Sequence, residues 1–95
     1  MLRHVVAFSA KDQKDIPAIK EGLGMLGTIP GVLQFTVTDN LKLDNLSKPM
    51  DVVFYAEFAS ESTLEAFKQH QTYQDCIDVV RPLRDERMVL DFIYN

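Results

Sequence analysis

Four short stretches of this chain place their side chains with a period of two. Helical spacing appears only between the first and second stretches and between the third and fourth. That order leaves few ways to build a core. Leu2–Phe8 sets Leu2, His4, Val6 and Phe8 on one face and Arg3, Val5 and Ala7 on the other, a strand apolar enough to be buried on both sides. Lys11–Asp15 is a charged turn. From Ile16, the residues Ile19, Leu23 and Leu26 recur at helical spacing, and Pro17 suits the first turn, where its missing N–H is not needed. Gly22, Gly24 and Gly27 each weaken this helix by up to ~1 kcal/mol relative to alanine. They serve either close packing on a sheet, with Gly27 ending the helix, or room for a ligand.

Pro30-Gly31 signals a turn, and Val32–Thr38 follows as the second strand, with Leu33, Phe35 and Val37 alternating. Asp39–Met50 is polar and reads as an extended loop. Asp51–Phe58 is the third strand, with Val52, Phe54, Ala56 and Phe58 on one face and Val53 and Tyr55 on the other. Ser62-Thr-Leu-Glu65 matches a capping box that opens a helix. Leu64 and Phe67 form that helix's buried side, and His70 lies three residues on. A further helical stretch carries Tyr73, Cys76, Ile77 and Val80 inward and stops before Pro82. Arg87–Tyr94 is the last strand.

The β-α-β, β-α-β order predicts an α+β chain of the ferredoxin-like type: a four-stranded antiparallel sheet with its helices on one face. Ninety-five residues suit a single domain, residues 1–95. Val5, Ala7, Val53 and Tyr55 are then left on the uncovered face, and apolar sheet of that extent marks an interface. Two such sheets packed across a two-fold axis would bury it, so a homodimer is expected.

Composition excludes several function classes. The net charge is -4, and the basic residues are scattered apart from Arg81, Arg84 and Arg87, which alternate with Asp85 and Glu86. That run reads as a solvated connection with local ion pairs, and no nucleic-acid partner is expected. No apolar run approaches a membrane span and no signal-peptide pattern opens the chain, so no membrane partner is expected. The single Cys76 cannot form an intramolecular disulfide and fits a reducing compartment, here the cytoplasm.

His4 is the ionisable residue of greatest interest, an imidazole in the middle of an apolar strand whose charge can change near neutral pH. It is either a pocket residue able to act as a general base or a core histidine bonded to protein. His70, near a helix end, reads as a helix cap or a ligand contact. Tyr73 points inward, and its hydroxyl could orient a ligand carbonyl. Cys76 lacks an activating neighbour and reads as a small buried hydrophobe. Gly22-x-Gly24-x-x-Gly27 copies a dinucleotide-binding string but lies inside a helix, out of context. No metal-ligand spacing is present, and no cofactor is expected.

Arg3-His-Val-Val6, Ile29-Pro-Gly-Val32, Asp51–Phe58, Leu64-Glu-Ala-Phe-Lys-Gln-His70 and Arg81-Pro-Leu83 with Val89-Leu-Asp-Phe92 together resemble the stress-responsive dimeric α/β-barrel (Dabb) domain, nearly end to end. The resemblance implies a barrel made of two ferredoxin-like subunits, with a cavity between sheet and helices. Its members include olivetolic acid cyclase, a polyketide cyclase that works in such a cavity. Through the resemblance, His4 falls at a pocket histidine, Phe67 at the cyclase's catalytic tyrosine and Tyr73 at its catalytic histidine. His70-Gln-Thr-Tyr73 keeps only the first histidine of the family's His-Pro-x-His. The expected site is therefore His4, Phe67, His70 and Tyr73, binding a small organic molecule. A cyclase or lyase reading makes His4 the base and Tyr73 the hydrogen-bond donor. The other readings are a monooxygenase of the same superfamily, haem-dependent or not, and a stress-associated dimer without turnover.

Overall fold

The computed structural model describes residues 1–95. Strand β1 (Leu2–Ala10) leads through a 3-10 turn at Gln13–Asp15 into helix α1 (Ile16–Gly24), extended by a second 3-10 turn at Met25–Thr28. Strands β2 (Gln34–Asp39) and β3 (Val52–Phe58) follow, then helices α2 (Glu61–Gln69) and α3 (Gln71–Val80) and strand β4 (Arg84–Ile93). The sheet order is β2-β3-β1-β4 with every neighbouring pair antiparallel, the ferredoxin-like arrangement expected from the order of elements.

The central position of β1 explains why it is apolar on both faces. Its helix-facing row, Leu2, His4, Val6 and Phe8, is buried together with Val52, Phe54, Ala56 and Phe58 of β3. Ile19, Leu23 and Leu26 from the first helical segment, Leu64 and Phe67 from α2, and Cys76 and Val80 from α3 close the core over them. Two glycines serve this packing. A Cβ on Gly22 would meet Val79 and Val80 at 3.0 Å, and one on Gly27 would fall 2.1 Å from the Phe35 ring. Gly31 has φ +94, a left-handed conformation that favours glycine, and it makes the turn toward β2.

The opposite face is set by the register. Ala7 lies between Val53 and Met88, Val5 between Tyr55 and Leu90, and Arg3 between Glu57 and Phe92. Met88, Leu90 and Phe92 therefore join the expected Val5, Ala7, Val53 and Tyr55 on this face, and all three β4 residues are exposed.

Several sequence expectations are corrected locally. The cap of α2 is Ser60, not Ser62: Ser60 Oγ accepts from the Thr63 N–H at 3.3 Å, and helix begins at Glu61. Only Ser62 has a glutamate three residues on, but the chain leaving β3 reaches extended geometry already at Ser60, and a serine there can cap without the box. The α1 spiral tightens to 3-10 from Met25, and β2 begins at Gln34 rather than Val32. Strand β4 begins three residues before Arg87, because the segment after Pro82 already pairs with the end of β1.

Asp51 ties the long loop to the sheet. Its buried carboxylate accepts from the Ala10 N–H at 2.8 Å and from Gln13 at 3.3 Å, and pairs with Lys42 at 2.6 Å. Burial opposes its charge, but Lys42, the Ala10 amide and Gln13 together outweigh burial and hold its pKa below the ordinary 3.8. Lys42 reaches it from a left-handed backbone position, φ 57, where its N–H is taken by the Asn40 side chain. We predict that Asp51→Asn lowers unfolding free energy by about 1–3 kcal/mol, measured by urea denaturation at pH 7. Because the folded pKa is depressed, this stabilisation is complete above the unfolded value and is lost as pH falls through the folded one. The gap between wild type and variant should therefore close below about pH 4.

Candidate active site

His4 enters the core from the middle of β1 with 1% of its surface exposed. A buried imidazole needs a partner, and β4 supplies it. The register sets Asp91 directly beside His4, on the same face of the sheet. His4 Nδ1 and Asp91 Oδ1 lie 2.5 Å apart, a short charge-assisted contact. Asp91 stands at the sheet edge, with its side chain 37% exposed, so its charge retains water while it holds the ring. The ring edges meet Phe54 and Phe58, at centroid distances of 6.2 and 6.3 Å, which fixes its plane.

Nδ1–H donation to the carboxylate leaves Nε2 as the acceptor. Nε2 has no protein partner, yet no occluded polar side-chain atom in the chain lacks one. Nε2 is therefore the nitrogen that remains open to the neighbouring space. Burial pulls the His4 pKa below its ordinary 6.5, Asp91 pushes it back up through its hydrogen bond and charge, and the Lys68 and Arg87 charges press it down. The ring is neutral at pH 7, with a free lone pair on Nε2: the state of a general base.

That space is a cavity of about 250 Å³ between the sheet and the helices. At ~30 Å³ per water it holds roughly eight waters' volume, just under the ~300 Å³ at which drug-sized ligand sites begin. His4, Val6, Phe54, Phe67, Tyr73 and Cys76 are among its walls. The Tyr73 ring lies against Phe67 at 5.3 Å, and Phe67 against Phe58 at 4.9 Å, so an aromatic row connects α3 to the sheet. Tyr73 is half-buried, and its hydroxyl makes no hydrogen bond within the chain. Cys76 is also in the wall, but burial lifts its thiol to about 11, which leaves no thiolate at neutral pH.

His4, Phe67 and Tyr73 are thus brought together, and His70 is not. His70 is exposed at the junction of α2 and α3, outside the cavity wall, where its Nδ1 accepts the Thr72 N–H at 3.1 Å and caps α3. The ring therefore caps a helix start as an acceptor. The functional residue missed by sequence reading is Asp91. Its one signal was a carboxylate within the apolar run Met88–Ile93. Arg81 and Arg87 are exposed, as a solvated connection would have them, but Arg81, Arg84 and Arg87 take part in no ion pair and line the cavity. Nowhere do three or more His, Cys, Asp or Glu side chains gather as metal ligands would, and no helix is long and apolar enough to cross a membrane.

The sheet, its one-sided helices and the cavity between them define a ferredoxin-like α+β protein with an internal site. The family model for the stress responsive A/B barrel domain matches residues 2–94, and the chain belongs to that family. It is similar to a dimeric ferredoxin-like protein of unknown function from Thermobifida fusca, with 18% identity, TM-score 0.82, and coverage of 98% of this chain and 90% of that one. It is similar also to a Dabb family protein with a ferredoxin-like fold from Mesorhizobium loti, with 20% identity, TM-score 0.81, and coverage of 99% and 96%. A hydroxynitrile lyase from Passiflora edulis shares 20% identity at TM-score 0.83, over 99% of this chain and 93% of that one. At such identities the likeness is one of fold. No curated protein matches the chain.

We predict that the His4 titration, followed by NMR of the imidazole protons, has its midpoint below 6.5. Asp91→Asn should lower the midpoint further, and Arg87→Gln should raise it. The sign for stability follows: a lowered folded pKa means that the unfolded chain binds the proton first, so stability falls as pH drops below the unfolded value.

Proposed function

We propose that the chain binds a small organic carbonyl compound in this cavity, and that His4, oriented by Asp91, removes a proton next to the carbonyl. The observation that carries the reading is the 2.5 Å His4–Asp91 contact, with Nε2 left free beside an apolar cavity. Nε2 takes the proton of a C–H bond, and the electron pair of that bond moves to the carbonyl oxygen, giving an enolate. The positive charge that then develops on the ring faces Asp91, whose carboxylate stabilises it. The Tyr73 hydroxyl, on the cavity wall, is an unengaged donor for the enolate oxygen. An enolate of this kind is the common starting point of ring closure and of lyase chemistry. The likeness to the hydroxynitrile lyase is one of fold and transfers no residue role.

The working form we infer is a homodimer through the outer sheet face, in the cytoplasm. Solved structures of the same fold are described as dimeric, and Val5, Met88, Leu90 and Phe92 supply an apolar surface there.

Deuterium exchange of cyclohexanone α-protons, followed by NMR, tests the base. The protein should accelerate exchange, with an acid limb below pH 6.5. His4→Gln should slow it by about 100-fold or more and Tyr73→Phe by less. An unchanged rate in folded His4→Gln would remove the base from the proposal. Leu90→Glu combined with Val5→Glu should convert the dimer to monomer in sedimentation, and a variant that stays dimeric would exclude this face.

A further inference from the structure

The cavity has fourteen lining residues, of which ten are hydrophobic, and the other four are His4, Arg81, Arg84 and Arg87. Apart from the Tyr73 hydroxyl and the Cys76 thiol, every polar side chain on its wall is thus basic, and no carboxylate is among them. The chain holds four arginines and has a net charge of -4, yet three of the four converge here. The fourth, Arg3, is on the other face of the sheet, engaged with Tyr55 and Glu57. Five of the six lysines pair with carboxylates, whereas Arg81, Arg84 and Arg87 pair with none.

The backbone brings this about. Arg84 and Arg87 are three apart, and in a regular strand they would point to opposite faces of the sheet. Between the partners Arg84–Ala10 and Arg87–Phe8, however, the register shifts, with three steps on β4 against two on β1. The extra residue is a bulge, a device that re-aims side chains. The buried Ser9 secures it by accepting the Glu86 N–H at 2.9 Å. Arg81 arrives separately, as the C-terminal cap of α3.

We propose that the molecule bound in this cavity carries a carboxylate, held by Arg81, Arg84 and Arg87 at the mouth while its apolar body extends toward His4. The inference rests on the cavity being the ligand site and adds the substrate class: a small keto acid rather than a neutral ketone. Guanidinium forks match a carboxylate bidentately, and three of them beside an apolar wall favour an acid over its neutral analogue. The same charges bear on His4, where Arg87 disfavours the protonated ring. An anion at the mouth would offset that effect and raise the basicity of Nε2 once substrate is bound.

Phenylacetate, phenylacetamide and benzylphosphonate share one apolar body, and calorimetry with the purified protein compares them. Phenylacetate should bind about tenfold or more tightly than phenylacetamide at low salt, the size of a charge-assisted contact, with the advantage shrinking as salt is added. Arg84→Gln and Arg87→Gln, both at exposed or half-exposed positions, should erode the preference and leave amide binding unchanged. Equal binding of acid and amide, or no binding of either, overturns the proposal. Tighter binding of benzylphosphonate than of phenylacetate overturns the carboxylate in favour of a phosphate-bearing ligand. His4→Gln separates this from the base reading: the acid preference must survive that substitution, whereas proton exchange must not. Preference without exchange defeats only the base, and exchange without preference defeats only the anion site.

Discussion

A buried imidazole must be satisfied, and here its partner comes from the opposite end of the chain. His4 and Asp91 meet because β1 occupies the centre of the sheet and β4 pairs along its free edge. Without that pairing, the helix-facing row of β1 would hold an unpartnered polar group among Phe54, Phe58 and Val6, at a cost of a few kcal/mol. With it, the ring is held in one tautomer and its second nitrogen is left free. The same contact that satisfies the core therefore also leaves Nε2 free beside the cavity.

The charge distribution complements this geometry. A chain with excess acid gathers three of its arginines around one apolar cavity and keeps carboxylates off the cavity wall. Asp91 approaches His4 from the edge of the sheet, partly in water, so it orients the ring without placing a negative charge on the cavity wall. Burial and nearby cations lower the basicity of His4, and Asp91 restores part of it. Cys76, in the same wall but with no such partner, is held as a neutral thiol by burial.

Much of the architecture was legible in the sequence. Period-two runs separated by helical ones allow few arrangements, and the apolar content of both β1 faces required a central strand. Errors fell where two local patterns competed. Ser60 and Ser62 can both cap a helix, and only the path of the chain out of β3 selects Ser60. Arg81–Arg87 looked like a solvated connection because its charges alternate, but four of its residues belong to β4 and pair with the sheet. In β4 both alternating sets are rich in apolar residues, so the pattern alone did not say that Met88, Leu90 and Phe92 face outward.

The sequence by itself determined the order of elements, the family and the singular position of His4, because local periodicity and composition carry that information. Phe67 and Tyr73 were also placed on the inner side by helical spacing alone. Only the tertiary structure decided that Asp91 is the partner of His4, that His70 stays outside the cavity, and that three arginines line it. The first depends on strand register, the second on how α2 meets α3, and the third on a one-residue bulge together with the end of α3. A shift of one residue turns a side chain to the other face, and register is set here by partners more than 70 positions away in the chain rather than by neighbours.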